Sequence, residues 1–306
     1  MAAEIEGCIP DGAIPGVFPF SVLRSDLGPW RERQRAWRDL GLGSWRGREH
    51  VVTIGSRGSD FAEAMKRQMP GAAGKASVFD PVLTEACYTW YCPEGGRILD
   101  PFAGGPVRGL VAGNGGYEYT GVDLSPVQVD VNEENAADWH ARDLLVTSPK
   151  WILGDSGEVL SSLPGGDFDY VFTCPPYHNL ERYSDHPADL SAMRWSAFEE
   201  AYRQIIAESV RCLADDSFCT WVVGEVRGSN GMLRGLIPLT IAAHEDAGAR
   251  FYNDGILLNN IGTTAMRLQN QWRPARKVGR HHQYVLTFVK GNPKRATAKL
   301  PVPAKY

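Results

Sequence analysis

Short apolar runs alternate with longer amphipathic stretches from about residue 77 to the end of the chain. The apolar runs have the length and residue types of strands, which we predict at 97–100, 119–123, 151–154, 168–173, 218–224, 250–258 and 283–289. The stretches between them predict helices at 106–114, 125–140, 195–213 and 230–247. Asp80 followed by Pro81 predicts the start of another helix, which extends to Cys92.

The order of these elements predicts an α/β fold. Strands that alternate with helices of this length are joined by right-handed crossovers and form a mostly parallel sheet. No helix is predicted between the last two strands, so we expect them to pair as an antiparallel hairpin at one edge of the sheet. Residues 1–76 are rich in glycine and proline, and we expect an irregular N-terminal extension with one helix at 29–40.

Composition narrows the classes of function. A chain of 306 residues, 43% of them hydrophobic, can bury a full core. No apolar run approaches the roughly 20 residues that span a membrane. With no evident signal peptide either, we expect a cytoplasmic protein without a membrane partner. The six cysteines form no C-x-x-C pair, and no metal site is predicted.

Positive charge is concentrated toward the C-terminus, although the net charge of the chain is −4. Residues 255–306 contain ten basic residues and no acidic one, and a second basic cluster with interleaved tryptophans lies at 30–38. Segregated positive charge attracts a phosphate backbone, so we predict DNA contacts at Arg273, Arg276, Lys277 and Arg280. The alternative is a basic surface that is merely solvated, and residues 292–306 are assigned to a basic tail.

A glycine-rich turn follows the strand predicted at 97–100. Asp100 ends this strand, and Gly104 and Gly105 allow the backbone to approach a ligand closely. Asp123 ends the next strand about 20 residues later, the spacing at which an acid binds the ribose hydroxyls of a nucleoside cofactor. Asp155 follows the third strand. Tight strand–helix packing at the glycines, and helix capping by the two later acids, are alternatives that stay open.

The strand predicted at 168–173 runs into a double proline and an aromatic residue, Cys174-Pro175-Pro176-Tyr177. This segment resembles motif IV of the S-adenosylmethionine-dependent DNA amino-methyltransferases. Their motif I resembles the turn Asp100-Pro101-Phe102-Ala103-Gly104-Gly105. Segments 18–23 and 77–81 extend the similarity to the N4-cytosine and N6-adenine methylases of bacteriophages and prophages.

The resemblance implies a class I methyltransferase domain at 77–291, with a Rossmann-like, seven-stranded, mostly parallel sheet that ends in an antiparallel hairpin. It also implies S-adenosylmethionine as the cofactor. The residues that it assigns to the cofactor site are Phe79, Asp100, Phe102, Gly104, Gly105, Asp123 and Asp155. The implied partner is double-stranded DNA in a bacterial or phage-infected cell, and RNA stays open.

In the resembled family, the double-proline turn holds the exocyclic amine of a flipped base. The prolines fix the carbonyl of Pro175 as an acceptor for the amine, and the base stacks on Tyr177. Positioning and electrostatic stabilisation then accelerate the methyl transfer, and no covalent protein intermediate is formed. We expect a DNA methyltransferase that acts on cytosine N4 ahead of adenine N6, with the catalytic residues Cys174, Pro175, Pro176 and Tyr177.

Cys174 departs from the family pattern, in which Asp, Asn or Ser precedes the prolines and accepts a second bond from the amine. A thiol is a weak acceptor, so the carbonyl of Pro175 would do most of the holding. Alternatively, Cys174 adds to a pyrimidine and activates C5 with Glu225 as its acidic partner, or it is an inert packing thiol. A non-enzymatic function also stays open, in which the chain is a catalytically inactive nucleic-acid-binding module.

The polar and aromatic segment 178–195 follows the double-proline turn. Long loops in compact domains tend to be functional, so we expect this one to close over the flipped base or to line the DNA. Target recognition is expected from this loop together with residues 1–75 and 259–282.

Overall fold

The computed structural model describes residues 17–42, 52–53, 78–178, 181–182, 184, 186–259 and 264–302. The helices within these segments are α1 (Gly28–Asp39), α2 (Pro81–Tyr91), α3 (Val107–Asn114), α4 (Pro126–Ala141), α5 (Ser156–Ser162), α6 (Trp195–Cys212), α7 (Leu236–Asp246), α8 (Thr264–Ala275) and α9 (Pro293–Ala298). The strands are β1 (Val22–Arg24), β2 (Val52–Thr53), β3 (Arg97–Asp100), β4 (Glu118–Asp123), β5 (Lys150–Leu153), β6 (Phe168–Thr173), β7 (Glu181–Arg182), β8 (Leu213–Val223), β9 (Ala249–Leu258) and β10 (His282–Lys290).

The main sheet contains eight strands in the order β1-β9-β10-β8-β6-β3-β4-β5. β3 is parallel to β4 and β6, β4 is parallel to β5, and β6 is parallel to β8. β10 is antiparallel to both of its neighbours, β8 and β9. This is the class I methyltransferase Rossmann-like arrangement, and the predicted fold class is confirmed. The strand order reverses between β3 and β6, which is where such sheets bind ligands.

The edge of the sheet differs from the prediction in two details. An eighth strand is present, because β1 from the N-terminal extension pairs in parallel with β9. β9 and β10 pair antiparallel as predicted, with β10 as the inner strand beside β8. The helix α8 separates β9 from β10, where the pattern predicts no helix. Pro274 lies within this helix, and because proline is rare in helix interiors, the sequence does not indicate a helix there.

Other elements begin at residues that the pattern does not indicate. β8 starts at Leu213, directly after α6, whereas the strand is predicted from 218. α7 starts at Leu236 and not at 230, because residues 227–233 form a small hairpin with a bridge between Arg227 and Leu233. The short helices α5 and α9 are not predicted. The segment assigned to a basic tail therefore begins with a helix, in which Ala296 is buried.

The described part of the N-terminal extension packs against the regular domain. Trp30 and Trp37 of α1 are buried, and their indole nitrogens donate to Asp80 Oδ2 at 2.9 Å and to Glu85 Oε2 at 2.8 Å. The Trp37 ring also stacks on Trp139 of α4 at a centroid distance of 6.4 Å. The extension thus adds α1 and β1 to the fold, whereas most of segment 1–76 lies outside the described residues.

Apolar side chains fill both faces of the main sheet. One face packs against α2, α3 and α4 through residues such as Tyr88 and Val107. The other face packs against α6 and α7 through residues such as Phe198 and Leu239. None of the helices in the described segments is long and apolar enough to cross a membrane. Because both faces are covered, the edge formed by the carboxyl ends of the parallel strands is the open side on which a ligand can enter.

Candidate active-site cleft

A cleft of about 860 Å³ opens at the carboxyl ends of the parallel strands. Ligand pockets commonly have volumes of about 300–1,000 Å³, so a cofactor and part of a substrate fit there. The predicted site residues that line the cleft are Phe79, Phe102, Gly104, Asp123, Asp155, Cys174, Pro175, Pro176 and Tyr177. Asp100 and Gly105 are not among its lining residues.

Asp100 lies beneath the floor of the cleft and is 0% exposed. Its Oδ1 accepts hydrogen bonds from the Phe102 backbone at 3.1 Å and from the Thr173 hydroxyl at 2.6 Å. Its Oδ2 accepts from Arg108 Nε at 2.5 Å and from the Tyr119 hydroxyl at 2.8 Å. The carboxylate therefore joins β3, β4 and β6 to the glycine turn, and any effect that it has on a ligand is transmitted through that turn.

Arg108 is the counter-ion of Asp100, and the sequence reading missed it. Its Nη2 donates to the carbonyls of Phe102 at 2.6 Å and Ala103 at 3.0 Å, and its guanidinium lies 4.6 Å from the ring centroid of Phe79. Burial opposes the charge of Arg108, but Asp100 outweighs it, and the pKa of the guanidinium is raised. The only signal in the sequence is an arginine within the otherwise apolar first turns of α3.

The glycine turn is held against β4. Gly104 has φ +52°, a conformation that other residues rarely adopt, and its backbone N donates to Asp123 Oδ2 at 2.8 Å. Ala103 N donates to the carbonyl of Val122 at 2.9 Å. Gly121 permits this contact, because a Cβ there would lie 2.8 Å from the Cβ of Ala103. The turn is therefore preorganised, and at Gly104 it presents backbone without a side chain to the cleft.

Asp123 and Asp155 line the cleft and also bind the backbone beside them. Asp123 Oδ1 accepts from Ser125 N at 2.9 Å, and Asp155 Oδ1 accepts from Glu158 N at 3.1 Å as the N-cap of α5. The capping alternative from the sequence is therefore present at Asp155, whereas Ser125 and not Asp123 is the N-cap of α4. Both carboxylates still line the cleft, so these backbone contacts are compatible with ligand binding.

The double-proline turn supplies another part of the cleft lining. Pro175 is buried, whereas Cys174, Pro176 and Tyr177 are half-buried. The Tyr177 hydroxyl donates to the carbonyl of Val222 at 3.3 Å and lies 3.3 Å from Cys174 Sγ. These contacts tie the turn to the end of β8 and fix the direction of the Tyr177 ring.

Gln283 is a second residue that the sequence reading missed. It lies at the start of β10, lines the cleft, and donates from Nε2 to the Tyr177 hydroxyl at 2.8 Å. Within the described part of the chain, no hydrogen bond uses its carbonyl Oε1. Tyr177 and Gln283 are 106 positions apart, so no local pattern could connect them.

Glu225 does not line the cleft. Its Oε1 accepts hydrogen bonds from Gly235 N and Leu236 N, both at 3.0 Å, at the N-terminus of α7. A carboxylate is favourable at this position because the first backbone N–H groups of a helix have no partner within the helix. Glu225, the acid that the C5 alternative requires beside Cys174, is therefore bound to the N-terminus of α7 instead.

The helix α1 forms one wall of the cleft, although none of its residues is assigned to the site from the sequence. Arg31, Gln34 and Arg38 line it, and Ser25 and Leu42 lie at either end of the same segment. The basic cluster at 30–38 is therefore directed partly into the cleft. The loop after Tyr177 also reaches it, through lining residues at 184, 186 and 188–190, while Asp185 lies outside the described residues.

The basic residues predicted to contact DNA lie at the surface and outside the cleft. Arg273, Arg276 and Arg280 are exposed and Lys277 is half-buried, and none of them lines the cleft. Arg276 lies over the Trp272 ring at 5.4 Å, so a cation and an aromatic face are presented together. Across the described segments, no group of three potential metal ligands occurs.

No protein-family model and no curated protein matches this chain. Among solved structures, it is similar to a candidate DNA modification methylase from Thermus thermophilus, with 22% identity, TM-score 0.34 and coverage of 45% of this chain and 51% of that one. TrmN from Thermus thermophilus has 15% identity, TM-score 0.45 and coverage of 69% and 49%. The [4+2]-cyclase SpnF has 16% identity, TM-score 0.49 and coverage of 71% and 84%. The chain spans about half the length of the first two proteins.

Proposed function

We propose that this protein is a DNA methyltransferase that transfers a methyl group from S-adenosylmethionine to the exocyclic amine of a flipped base, cytosine N4 ahead of adenine N6. One observation carries the proposal. The glycine turn with Asp123 and the turn Cys174–Tyr177 open into the same cleft at the switch point of the sheet. A donor site and an amine-holding site must share one cavity for direct transfer between two bound molecules.

The residues present fit the cofactor. Asp123 and Asp155 place carboxylates at the ends of the adjacent strands β4 and β5, where ribose hydroxyls and an adenine amino group can donate to them. Gly104 leaves room for close backbone approach, and Phe79 offers an aromatic surface held by Arg108. When bound, S-adenosylmethionine supplies an electrophilic methyl group on a positively charged sulfur.

The chain's own groups hold the accepting amine. The carbonyl of Pro175 accepts one hydrogen of the amine, because the flanking prolines allow it little freedom. Gln283 supplies an amide carbonyl for the other hydrogen, in place of the oxygen side chain that Cys174 lacks. Tyr177 provides the ring on which the base stacks. Both hydrogen bonds draw the N–H protons toward the protein and leave the nitrogen more nucleophilic.

The hydroxyl of Tyr177 has one proton and accepts as well as donates. When it donates to the carbonyl of Val222, the thiol of Cys174 donates to it. This arrangement uses the protonated thiol, whereas covalent catalysis at C5 requires the thiolate. The protonated thiol favours amine methylation over the C5 alternative. The hydrogen bond that Glu225 accepts at the N-terminus of α7 favours it as well.

The proposal is tested with S-adenosylmethionine labelled in its methyl group and three acceptors: duplex bacterial DNA, the same DNA after heat denaturation, and bacterial RNA. We expect label in DNA from the wild type. Asp123→Ala should weaken cofactor binding in calorimetry by about tenfold or more, the loss of one or two charge-assisted hydrogen bonds. Tyr177→Ala should bind cofactor normally and transfer methyl groups at least tenfold more slowly.

Other results separate the alternatives. Label that enters only RNA would replace DNA as the substrate. Tight cofactor binding with no label in any acceptor would contradict the proposed activity and favour an inactive nucleic-acid-binding module.

A further inference from the structure

A short hairpin leaves the main sheet beside Tyr177. Gly224 follows β8 and packs so closely on the Tyr177 ring that a Cβ there would lie 3.0 Å from Cε2. The chain then turns back through an antiparallel bridge between Arg227 and Leu233. The hairpin 227–233 therefore stands at the same edge of the sheet as the double-proline turn.

Hydrogen bonds within the hairpin hold its tip. Gly228 N donates to the carbonyl of Met232 at 2.9 Å, and Met232 N donates to Asn230 Oδ1 at 3.1 Å. Arg227 Nη1 donates to the carbonyl of Gly231 at 2.9 Å. Two large apolar side chains of the hairpin are nevertheless exposed to solvent: Met232 is 68% exposed and Leu233 is 51% exposed.

Positive charge surrounds these apolar side chains. Residues 226–234 include Arg227 and Arg234 and no acid. Lys277 reaches the turn from the neighbouring basic segment, because a Cβ on Gly231 would lie 3.0 Å from its Nζ. An exposed apolar tip among cations is complementary to a polyanion that also offers apolar surface, and stacked bases between phosphates have both properties.

The base of the hairpin is connected to the cleft by aromatic contacts. The Arg234 guanidinium lies 5.2 Å from the centroid of Trp195. The Trp195 ring packs edge-on against His178 at 5.3 Å, and His178 directly follows Tyr177. A ligand that contacts the hairpin therefore contacts a structure attached to the double-proline turn.

We propose that the hairpin 227–233 is a nucleic-acid wedge, with Met232 entering the base stack next to the nucleotide that is drawn into the cleft. Arg227 and Lys277 hold the flanking phosphates. This inference rests on the proposed function, because only a flipped base leaves a gap to fill. Proteins that kink DNA insert Met, Leu or Phe side chains between base steps in this way.

The test compares duplex bacterial DNA with the same DNA after heat denaturation, using Met232→Ala and wild-type protein. Val146→Ala is the matched control, because Val146 is 76% exposed and lies outside the cleft and the hairpin. We expect Met232→Ala to lower kcat/KM on duplex DNA at least tenfold and on denatured DNA less than about threefold. Cofactor affinity should stay within twofold of wild type, and Val146→Ala should match wild type on both substrates.

A second measurement tests the phosphate contacts. Arg227→Gln with Lys277→Gln should lower the affinity for duplex DNA and reduce the slope of log affinity against log salt by about one to two. If Met232→Ala lost kcat/KM equally on duplex and denatured DNA, or kept full activity on the duplex, the proposed wedge would be overturned. The proposed methyltransferase activity would still stand. A wild type that labels neither DNA form overturns the proposed function itself, and the wedge with it.

Discussion

The hydroxyl of Tyr177 joins three parts of the cleft that are far apart in the sequence. It contacts Cys174 in its own turn, Val222 at the end of β8 and Gln283 at the start of β10. A phenol with partners on three elements has little rotational freedom, so the ring is preorganised as a stacking surface. The same contacts hold the Gln283 amide in the cleft beside the double-proline turn, where we propose that it is the second acceptor for the amine.

Gln283→Leu should therefore lower kcat without weakening cofactor binding. It removes the donor to Tyr177 and the proposed acceptor for the amine, and we expect kcat to fall about tenfold to a hundredfold. Gln283→Glu is the matched control, because it keeps an oxygen acceptor at the same place and should retain more activity. Single-turnover transfer and calorimetry with S-adenosylmethionine measure the two effects. Equal activity of Gln283→Leu and wild type would exclude the role.

His244 predicts a pH dependence of stability that is separate from the cleft. Its ring stacks on Phe288 at 3.8 Å, and its Nδ1 donates to the carbonyl of Thr240 at 2.7 Å. Burial lowers the pKa of His244 to about 3. The unfolded chain binds this proton below about pH 6.5 and the folded chain does not, so the free energy of unfolding falls as the pH drops from about 6.5 toward 3.

Urea unfolding at pH 7.5 and pH 5 checks this expectation. The wild type should lose about 1–2 kcal/mol from His244 between these values. His244→Leu should show a smaller loss, although it is less stable at pH 7.5 because the hydrogen bond to Thr240 is gone. An identical pH dependence in both proteins would contradict a neutral histidine in the core.

At the residue level, the sequence indicates the position of a side chain best where a local motif sets it. Asp123, Asp155 and the double-proline turn line the cleft as the strand ends indicate. Asp100 ends its strand as predicted but is turned inward, because Arg108 neutralises its charge there and the Tyr119 hydroxyl donates to it. Gln283 could not be predicted, since only the folded sheet brings β10 beside the double-proline turn.

At the scale of elements, α1 is the main addition to the predicted domain. Its side chains are tied to two carboxylates of the α2 segment: Trp30 and Gln34 donate to Asp80, and Arg33 and Trp37 donate to Glu85. Because Arg31, Gln34 and Arg38 line the cleft, we expect the docking of α1 and the binding of a ligand to be coupled.

Glu85→Ala should weaken both the fold and the cofactor site. It leaves the buried Trp37 indole without its acceptor, and we expect a loss of about 1–3 kcal/mol in the free energy of unfolding. The ion pair with Arg33 adds little, because 41% of the arginine side chain is exposed. Cofactor affinity should fall severalfold as α1 loosens.

Glu133→Ala is the control for this variant, because Glu133 is an exposed acid on α4. Denaturant unfolding and calorimetry with S-adenosylmethionine are the measurements. Unchanged cofactor affinity in a destabilised Glu85→Ala protein would show that α1 contributes to the fold alone.

The sequence predicted the elements of the central sheet better than those at its edge. β3 and β6 have the predicted bounds, because each is a short apolar run with a clear turn after it. The predicted helix at 230–247 includes the return arm of the hairpin 227–233, although Gly231 and Gly235 are turn signals within that predicted helix. β1 escaped prediction because a strand of three residues carries no periodicity.

At the scale of the whole molecule, the basic C-terminal region divides into two parts. Arg295 pairs with Asp216 at 2.6 Å, and Lys290 and Lys299 donate to backbone carbonyls at the start of β8. These cations stabilise the attachment of α9 and β10. The cations at 273–280 belong instead to the segment whose Lys277 reaches the hairpin 227–233, and we expect these cations to contact a phosphate backbone.

In the function proposed above, the cleft methylates an amine without a covalent link to Cys174. The most direct measurement uses methyl-labelled S-adenosylmethionine, bacterial DNA and mass spectrometry of the digested nucleosides, with Cys174→Ser beside the wild type. A serine hydroxyl can donate to Tyr177 as the thiol does. We therefore expect label on N4-methylcytosine or N6-methyladenine from both proteins, with Cys174→Ser retaining at least about a tenth of the wild-type rate. Label at pyrimidine C5, or complete loss of transfer in Cys174→Ser, would contradict it.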